Sequence, residues 1–135
     1  MKKLFILLLA AAIFAACGQT EKIVKESVYM NITAEEAKVL MESETGYIIL
    51  DVREQDEYDA GHIPGAILIP YTRIEEEASE KLTDKDQLIL VYCRSGRRSK
   101  IAAEALVELG YTNIKEFGGI IDWPYEVESW SENTK

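Results

Sequence analysis

The segment QLILVYCRSGRRS, residues 87–99, carries the most information about the fold. Residues 87–92 form a short β-rich run, which is typical of a strand buried inside a sheet. A loop of charged and small residues follows, and apolar residues then recur at helical spacing until Gly110, which ends the helix. The apolar face of this helix comprises Ile101, Ala102, Ala105, Leu106 and Leu109. The segment therefore predicts a strand, a loop and a helix in direct succession.

The same alternation of strand and helix patterns continues along the chain. A capping box starts a helix that Gly46 ends, because the side chains of Thr33 and Glu36 satisfy backbone donors of its first turn. Further predicted strands cover residues 47–52, 66–69 and 114–117, and further predicted helices cover residues 54–59 and 73–80. This alternation predicts an α/β domain over residues 29–135, with a mostly parallel central sheet flanked by helices on both faces.

Length and charge narrow the possible functions. The 135 residues correspond to one domain of ordinary size, and a hydrophobic content of 47% is that of a globular protein. The net charge of −9 argues against a nucleic-acid partner, because phosphate binding needs a basic face. With one histidine and two cysteines a conventional zinc site is not expected, and no metal or organic cofactor is predicted.

The first segment of the chain has the pattern of an export signal. Lys2 and Lys3 form a positive start, and residues 4–16 are an unbroken apolar run that ends in small residues. This run is shorter than the roughly 20 apolar residues that a membrane-spanning helix needs. We therefore expect residues 1–16 to be a signal peptide that is removed on export.

The residues after this run indicate a lipid anchor. The sequence FAAC, residues 14–17, resembles a bacterial lipoprotein processing site, in which Cys17 becomes the lipidated N-terminus. Residues 17–28 then form a lipidated start and a short polar tether, and the lipid anchor makes the membrane a partner. The predicted location is the periplasmic or extracellular face of the bacterial cell envelope. Ordinary cleavage near Ala16, which releases a soluble protein, is the alternative.

The loop after strand 87–92 carries the predicted chemistry. Cys93 lies between a strand end and a helix start, where backbone N–H groups and the helix dipole favour an anionic sulfur. Three arginines and two serines follow Cys93 within six residues, so its burial as a small apolar side chain is a poor alternative. We expect Cys93 to be a nucleophile with a lowered pKa, beside a pocket for a small anion. The residues of this cradle are Arg94, Ser95, Gly96, Arg97, Arg98 and Ser99.

An ordered set of motifs spans residues 30–124. They are DVR (51–53), EY (57–58), GHIPGA (61–66), CRSGRRS (93–99), and GG (118–119) with Trp123. The set resembles the single-domain rhodaneses, a family of sulfurtransferases. The resemblance implies a rhodanese-like fold and a Cys93 thiolate that takes the outer sulfur of thiosulfate or of a persulfide. Cys93 would hold this sulfur as a persulfide cradled by the loop amides and pass it to a thiol or cyanide. The chain departs from the family beyond Trp123, where residues 124–129 replace a frequent Gly/Pro turn.

Three polar side chains outside the loop have two interpretations each. Asp51 and Arg53 follow a predicted strand, at the end of the sheet where α/β proteins bind ligands. They either support the Cys93 loop or form a scaffold ion pair, and the sequence favours neither. His62 lies in a turn, so a hydrogen bond to the backbone is favoured over a Cys–His catalytic pair.

Three other functions compete with sulfur transfer. Phosphatases and arsenate reductases with a cysteine loop have five residues between the cysteine and the arginine, whereas Arg98 follows Cys93 after four. A catalytically idle rhodanese-like binding module stays open, although such modules generally lack the loop cysteine, and its protein partner would be unknown. Thiol–disulfide exchange is disfavoured, because the chain has no Cys-x-x-Cys pair and lipidation would consume Cys17.

Overall fold

The computed structural model describes residues 28–129, and within them strands alternate with helices. The strands are β1 (Met30–Asn31), β2 (Ile48–Asp51), β3 (Ile67–Leu68), β4 (Ile89–Cys93) and β5 (Ile114–Gly119). The helices are α1 (Ala34–Ser43), α2 (Gln55–Ala60), α3 (Ile74–Lys81) and α4 (Arg97–Glu108), and short 3₁₀ turns cover Tyr71–Arg73 and Ile120–Asp122. The predicted signal peptide, Cys17 and most of the tether lie outside the described residues.

The five strands form one parallel sheet in the order β1-β5-β4-β2-β3. Strand β4 is central, and all five of its residues are buried. Because side chains alternate along a strand, Cys93 faces one side of the sheet and Tyr92 faces the other. Parallel strands need crossover connections, and in this chain the helices supply them.

Each face of the sheet is covered by its own hydrophobic cluster. The cluster under α3 and α4 includes Val91 and Cys93 of the central strand together with Ala102 and Leu106 of α4. The cluster on the opposite face includes Leu90 and Tyr92 together with Ala37 of α1, Phe117 and Trp123. The predicted α/β fold, with a parallel sheet and helices on both faces, is confirmed.

Local signals place most helix boundaries correctly. The capping box exists: the Thr33 hydroxyl accepts from the Glu36 backbone N–H at 3.1 Å, and the Glu36 carboxylate accepts from the Thr33 N–H at 2.8 Å. Helix α1 nevertheless ends at Ser43, before Gly46. Strand β1, which has only two residues, was not predicted, because so short an edge strand has no periodic pattern.

The predicted buried face of α4 is partly wrong. Ile101 was placed in the core but is 41% exposed. Ser99, Ala102, Ala103 and Leu106 are the buried residues of this helix. These four residues have the i, i+3, i+4, i+7 spacing of one helix face, and Ile101 lies outside it. No helix within residues 28–129 is both long enough and apolar enough to span a bilayer.

Candidate active site

Cys93 is the last residue of the central strand, and its side chain is almost fully buried, with 1% exposed. The chain turns back over the sulfur at Gly96, whose φ of 104° lies in the left-handed region that favours glycine. This turn brings the Gly96 backbone N–H to 3.0 Å from Cys93 Sγ. Helix α4 starts at the next residue, so the positive end of its dipole lies beside the sulfur.

The surroundings of Cys93 favour its thiolate. Burial raises the pKa of the thiol, whereas hydrogen bonds from the backbone N–H groups of Ser99, Gly96 and Ser95 lower it. The lowering contributions outweigh burial, so the pKa of Cys93 lies below its ordinary value. The thiolate is the nucleophilic form of cysteine, so this environment favours the form of Cys93 that can attack an electrophilic atom.

The three arginines of the loop have different environments. Arg98 is half-buried and donates two hydrogen bonds to the Glu57 carboxylate, at 2.7 and 2.8 Å. This bidentate pair lowers the pKa of Glu57 to about 2 and raises the pKa of Arg98. Arg97 is exposed, with its guanidinium 5.9 Å from the Tyr71 ring, and Arg94 is exposed at the rim of the loop. Arg94 and Arg97 are therefore the better placed of the three to meet an anion from solvent.

The double glycine after β5 lets the sheet approach the loop closely. Cys93 pairs with Gly119 in the parallel ladder after a register shift between Val91 and Cys93. A Cβ atom on Gly119 would lie 1.9 Å from the carbonyl oxygen of Arg94, well inside van der Waals contact. That carbonyl accepts from the Ile121 backbone N–H at 3.3 Å, so the strand end and the loop share a backbone contact. Gly119 is glycine because nothing larger fits.

Asp51 and Arg53 form a buried ion pair that holds neighbouring parts of the scaffold. The Arg53 guanidinium contacts both oxygens of Asp51 at 2.7 to 3.1 Å and donates to the Gly61 carbonyl at 2.7 Å. Tyr92 donates its hydroxyl proton to Asp51 at 2.7 Å, and burial together with Asp51 raises the pKa of Tyr92. Among residues 28–129, no hydrogen bond joins Asp51 or Arg53 to loop residues 94–99. These contacts favour the scaffold interpretation of the pair.

His62 is buried in the turn that the sequence indicated. Its Nδ1 lies 2.8 Å from the Tyr58 carbonyl, its ring stacks on the Tyr58 ring at 3.9 Å, and its Nε2 lies 3.3 Å from Glu128. A backbone bridge between His62 and Glu128 also fastens the segment beyond Trp123 to the domain. His62 thus has the structural role that its turn context predicted.

Two carboxylates that contact loop residues were given no role by the sequence analysis. Glu57 reaches Arg98 across 41 residues of sequence, and Glu116 of β5 accepts a 2.6 Å hydrogen bond from the Ser99 hydroxyl. The sequence pattern could have identified Glu116. Side chains alternate along a strand, so Glu116 lies on the same side of β5 as buried Ile114, where a carboxylate is unusual. No local signal could have found the partner of Glu57.

A cavity of about 480 Å³ opens beside the loop. Arg53, Glu57 and Arg94 line its polar side, and Ile120, Ile121, Trp123, Tyr125 and Val127 line its apolar side. The cavity is large enough for a small anion and for part of an acceptor molecule. Across residues 28–129, no group of three or more His, Cys, Asp and Glu side chains is placed to hold a metal ion.

The fold and the site together define an α/β protein with a parallel sheet and a cysteine loop between its central strand and a helix. The chain belongs to the rhodanese-like domain family, whose model matches residues 33–124. Over 73 residues it is 40% identical to the thiosulfate sulfurtransferase PspE of Escherichia coli, a match that covers 54% of this chain and 70% of that protein. It is 38% identical over 98 residues to a putative sulfur carrier protein of Bacillus subtilis, covering 72% of this chain but only 52% of that one.

Solved structures agree with this assignment. The solution structure of a rhodanese-like domain from Anabaena sp. matches with a TM-score of 0.70 at 28% identity, and the match covers 80% of this chain and 85% of that domain. Relatives that are named thiosulfate sulfurtransferases support a rhodanese-type sulfurtransferase. The family resemblance of the motifs between residues 51 and 123 is thus confirmed.

Proposed function

We propose that this protein is a sulfurtransferase that carries a sulfane sulfur on Cys93. The observation that carries the proposal is the Gly96 N–H placed 3.0 Å from a buried sulfur whose pKa is lowered. Relatives whose names state thiosulfate sulfurtransferase support thiosulfate as a donor. The donor is therefore a small sulfur-containing anion, thiosulfate or a persulfide, and the acceptor is a thiol or cyanide.

The first half-reaction loads the sulfur. The Cys93 thiolate attacks the outer sulfur of thiosulfate, a bond forms between the two sulfur atoms, and the bond to the sulfite sulfur breaks. The bonding electron pair leaves with sulfite, and the negative charge of the resulting persulfide lies on its outer sulfur. Exposed Arg94 and Arg97 attract the anionic donor, and the loop N–H groups stabilise the anionic sulfur.

The second half-reaction discharges the sulfur. Cyanide or a thiolate attacks the outer sulfur of the persulfide, the sulfur–sulfur bond breaks, and its electron pair returns to Cys93. Cyanide leaves as thiocyanate, whereas a thiolate leaves as a persulfide anion. Neither half-reaction needs a histidine base once Cys93 is ionised, which fits the structural role of His62.

A paired assay on the purified protein tests this function. One arm measures sulfite release from thiosulfate with cyanide as acceptor, and the other measures hydrolysis of a small aryl phosphate. Cys93→Ser should abolish sulfur transfer, whereas Cys17→Ser, at the other cysteine of the chain, should retain it. Phosphate hydrolysis would overturn the proposal in favour of a phosphatase, and the absence of both activities in folded, reduced protein would favour a binding module.

We further propose that the protein is exported and anchored by lipid at Cys17. The support is the pattern of residues 1–17, a positive start and an apolar run that ends before a cysteine. In the native host the protein should fractionate with membranes, and Cys17→Ser should move it to the soluble fraction. A soluble wild-type protein, or a Cys17→Ser variant that stays with the membranes, would contradict the anchor.

A further inference from the structure

The buried carboxylate of Glu116 has no role in the proposed half-reactions. Glu116 is only 2% exposed, and it lies on the face of the sheet that Cys93 and α4 share. Within residues 28–129, Glu116 has no ion-pair partner to compensate its charge. A buried carboxylate without a cation is costly, so its presence next to a nucleophile calls for a physical explanation.

One hydroxyl group connects Glu116 to the nucleophile. Ser99 Oγ lies 3.3 Å from Cys93 Sγ and 2.6 Å from Glu116 Oε1. The same carboxylate oxygen accepts from the Gly118 backbone N–H at 2.9 Å, which fixes its position. The sulfur and the carboxylate are therefore two hydrogen bonds apart, with Ser99 between them.

The geometry of this chain shows where the Ser99 proton goes. A separation of 2.6 Å is typical of a hydroxyl that donates to an ionised carboxylate, whereas the contacts of Ser99 Oγ with the sulfur and with the Gly96 carbonyl are longer. A serine hydroxyl has one proton, so a proton directed at Glu116 is not available to a Cys93 thiolate. Ser99 can then only accept from the Cys93 S–H, which is an interaction with the neutral thiol.

The charge of Glu116 acts in the same direction. Two negative charges at this distance in a buried environment repel, so an ionised Glu116 disfavours a charge on Cys93 Sγ. The loop N–H groups and Arg98 act in the opposite direction. Of the other titratable groups, Tyr29 before β1 has a pKa raised by burial and then by Glu104 and Glu116, and Arg94 and Arg97 of the loop are exposed.

We propose that Glu116, acting through the Ser99 hydroxyl, is a positioning residue that opposes the bare Cys93 thiolate and favours the sulfur-loaded state. In a persulfide the negative charge lies on the outer sulfur, one bond farther from Glu116 than Sγ. Loading therefore relieves the repulsion, and Glu116 shifts the loading equilibrium towards the persulfide. This second consequence rests on the proposed function, whereas the restraint on the thiolate does not.

The restraint is measured on the thiol itself. The rate of Cys93 alkylation by iodoacetamide is recorded against pH for the wild type and for Glu116→Gln, in protein reduced beforehand and carrying Cys17→Ser. The glutamine keeps an oxygen that can accept from Gly118 and Ser99, so the substitution removes mainly charge. We expect the profile to move about one unit to lower pH, which is about a tenfold faster reaction below its midpoint.

Matched variants separate charge from packing. Glu116→Ala, which is neutral and smaller, should move the profile in the same direction, whereas Glu116→Asp, which keeps the charge, should move it less than either neutral variant. Glu104→Gln, which removes an exposed carboxylate of α4, should leave the rate within twofold. A profile that stays in place or moves to higher pH in the folded neutral variants would overturn the restraint.

The second consequence is measured by mass. Protein equilibrated with thiosulfate and sulfite should carry less of the added 32 Da sulfur in Glu116→Gln than in the wild type. Equal persulfide occupancy in the two proteins would overturn the loading effect. If alkylation shifts as expected but neither protein takes up sulfur, the restraint on Cys93 holds and the proposed sulfur transfer fails.

Discussion

Gly119→Ala tests whether close approach of β5 to the loop sets the geometry of the site. The backbone of Gly119, with φ −133° and ψ 154°, is accessible to any residue, so the substitution introduces no conformational strain of its own. Its only effect is the new methyl group, which would lie 1.9 Å from the Arg94 carbonyl oxygen and 2.5 Å from the Ser95 nitrogen. Both atoms are backbone and cannot rotate away, so the chain itself has to move.

The size of the effect follows from these distances. Cβ contacts under 3.0 Å are essentially never seen, so the 1.9 Å separation has to grow by about 1 Å. Overpacking of this kind costs about 1–3 kcal/mol of unfolding free energy, and for a domain of this size each kcal/mol lowers the melting temperature by about 4–8 °C. The same displacement moves the loop that holds the Gly96 N–H on Cys93, and a 1 Å misplacement costs roughly 100-fold in rate.

The comparison is with Gly61→Ala. Gly61 has a φ of 167°, which any residue adopts, and a Cβ atom there would have no neighbour within 4 Å. Thermal melting and thiosulfate–cyanide transfer are measured for both variants and the wild type. We expect Gly61→Ala to behave as the wild type. If Gly119→Ala also melts within about 2 °C of the wild type and transfers sulfur within twofold of its rate, the steric argument is refuted.

Three further predictions concern the two ion pairs near the site. Arg98 lowers the pKa of Glu57 from its ordinary 4.5 to about 2, so the pair stabilises the fold above pH 4.5 and this stability is lost as pH falls towards about 2. In urea unfolding, the free energy of unfolding should therefore fall more between these pH values in the wild type than in Glu57→Gln, by about 1 kcal/mol. The same Glu57→Gln variant frees Arg98 for an anion, so steady-state kinetics should give a KM for thiosulfate several-fold below that of the wild type, and an unchanged or higher KM would contradict this. Asp51→Asn should lower the unfolding free energy by about 3–5 kcal/mol, because it breaks a buried ion pair with Arg53. A loss under 1 kcal/mol in urea titration would contradict this and would show that hydrogen bonds of Tyr92 and the asparagine replace the ion pair.

The fold could be predicted from local patterns because each of them has a local physical cause. The apolar run before Cys93 is a buried central strand, and the capping box at Thr33 starts α1 as expected. The failures lie where packing overrides periodicity. Ile101 fits a helical spacing with Ala102, Ala105 and Leu109, but the face that packs on the sheet begins at Ser99 and leaves Ile101 exposed.

The candidate site also has a part that local sequence predicts and a part that it does not. Cys93 and its cradle are contiguous in sequence, so a strand end, a glycine and a helix start suffice to predict a sulfur surrounded by N–H groups. The partners of the cradle are not contiguous with it. Glu116 belongs to β5 and Glu57 to α2, which follows β2, and each reaches the loop only because the sheet order places β5 and β2 on either side of β4.

Local patterns in the sequence are enough to predict a parallel α/β sheet and a cysteine at a strand–helix junction, because hydrophobic period, caps and turn residues act over a few positions. The roles of the charged residues were decided by the tertiary structure. Of three neighbouring arginines one is paired and two face solvent, and Asp51 and Arg53 pair with each other in the scaffold. The physical reason is that an ionic interaction depends on distance and burial in space, and neither follows from separation along the chain.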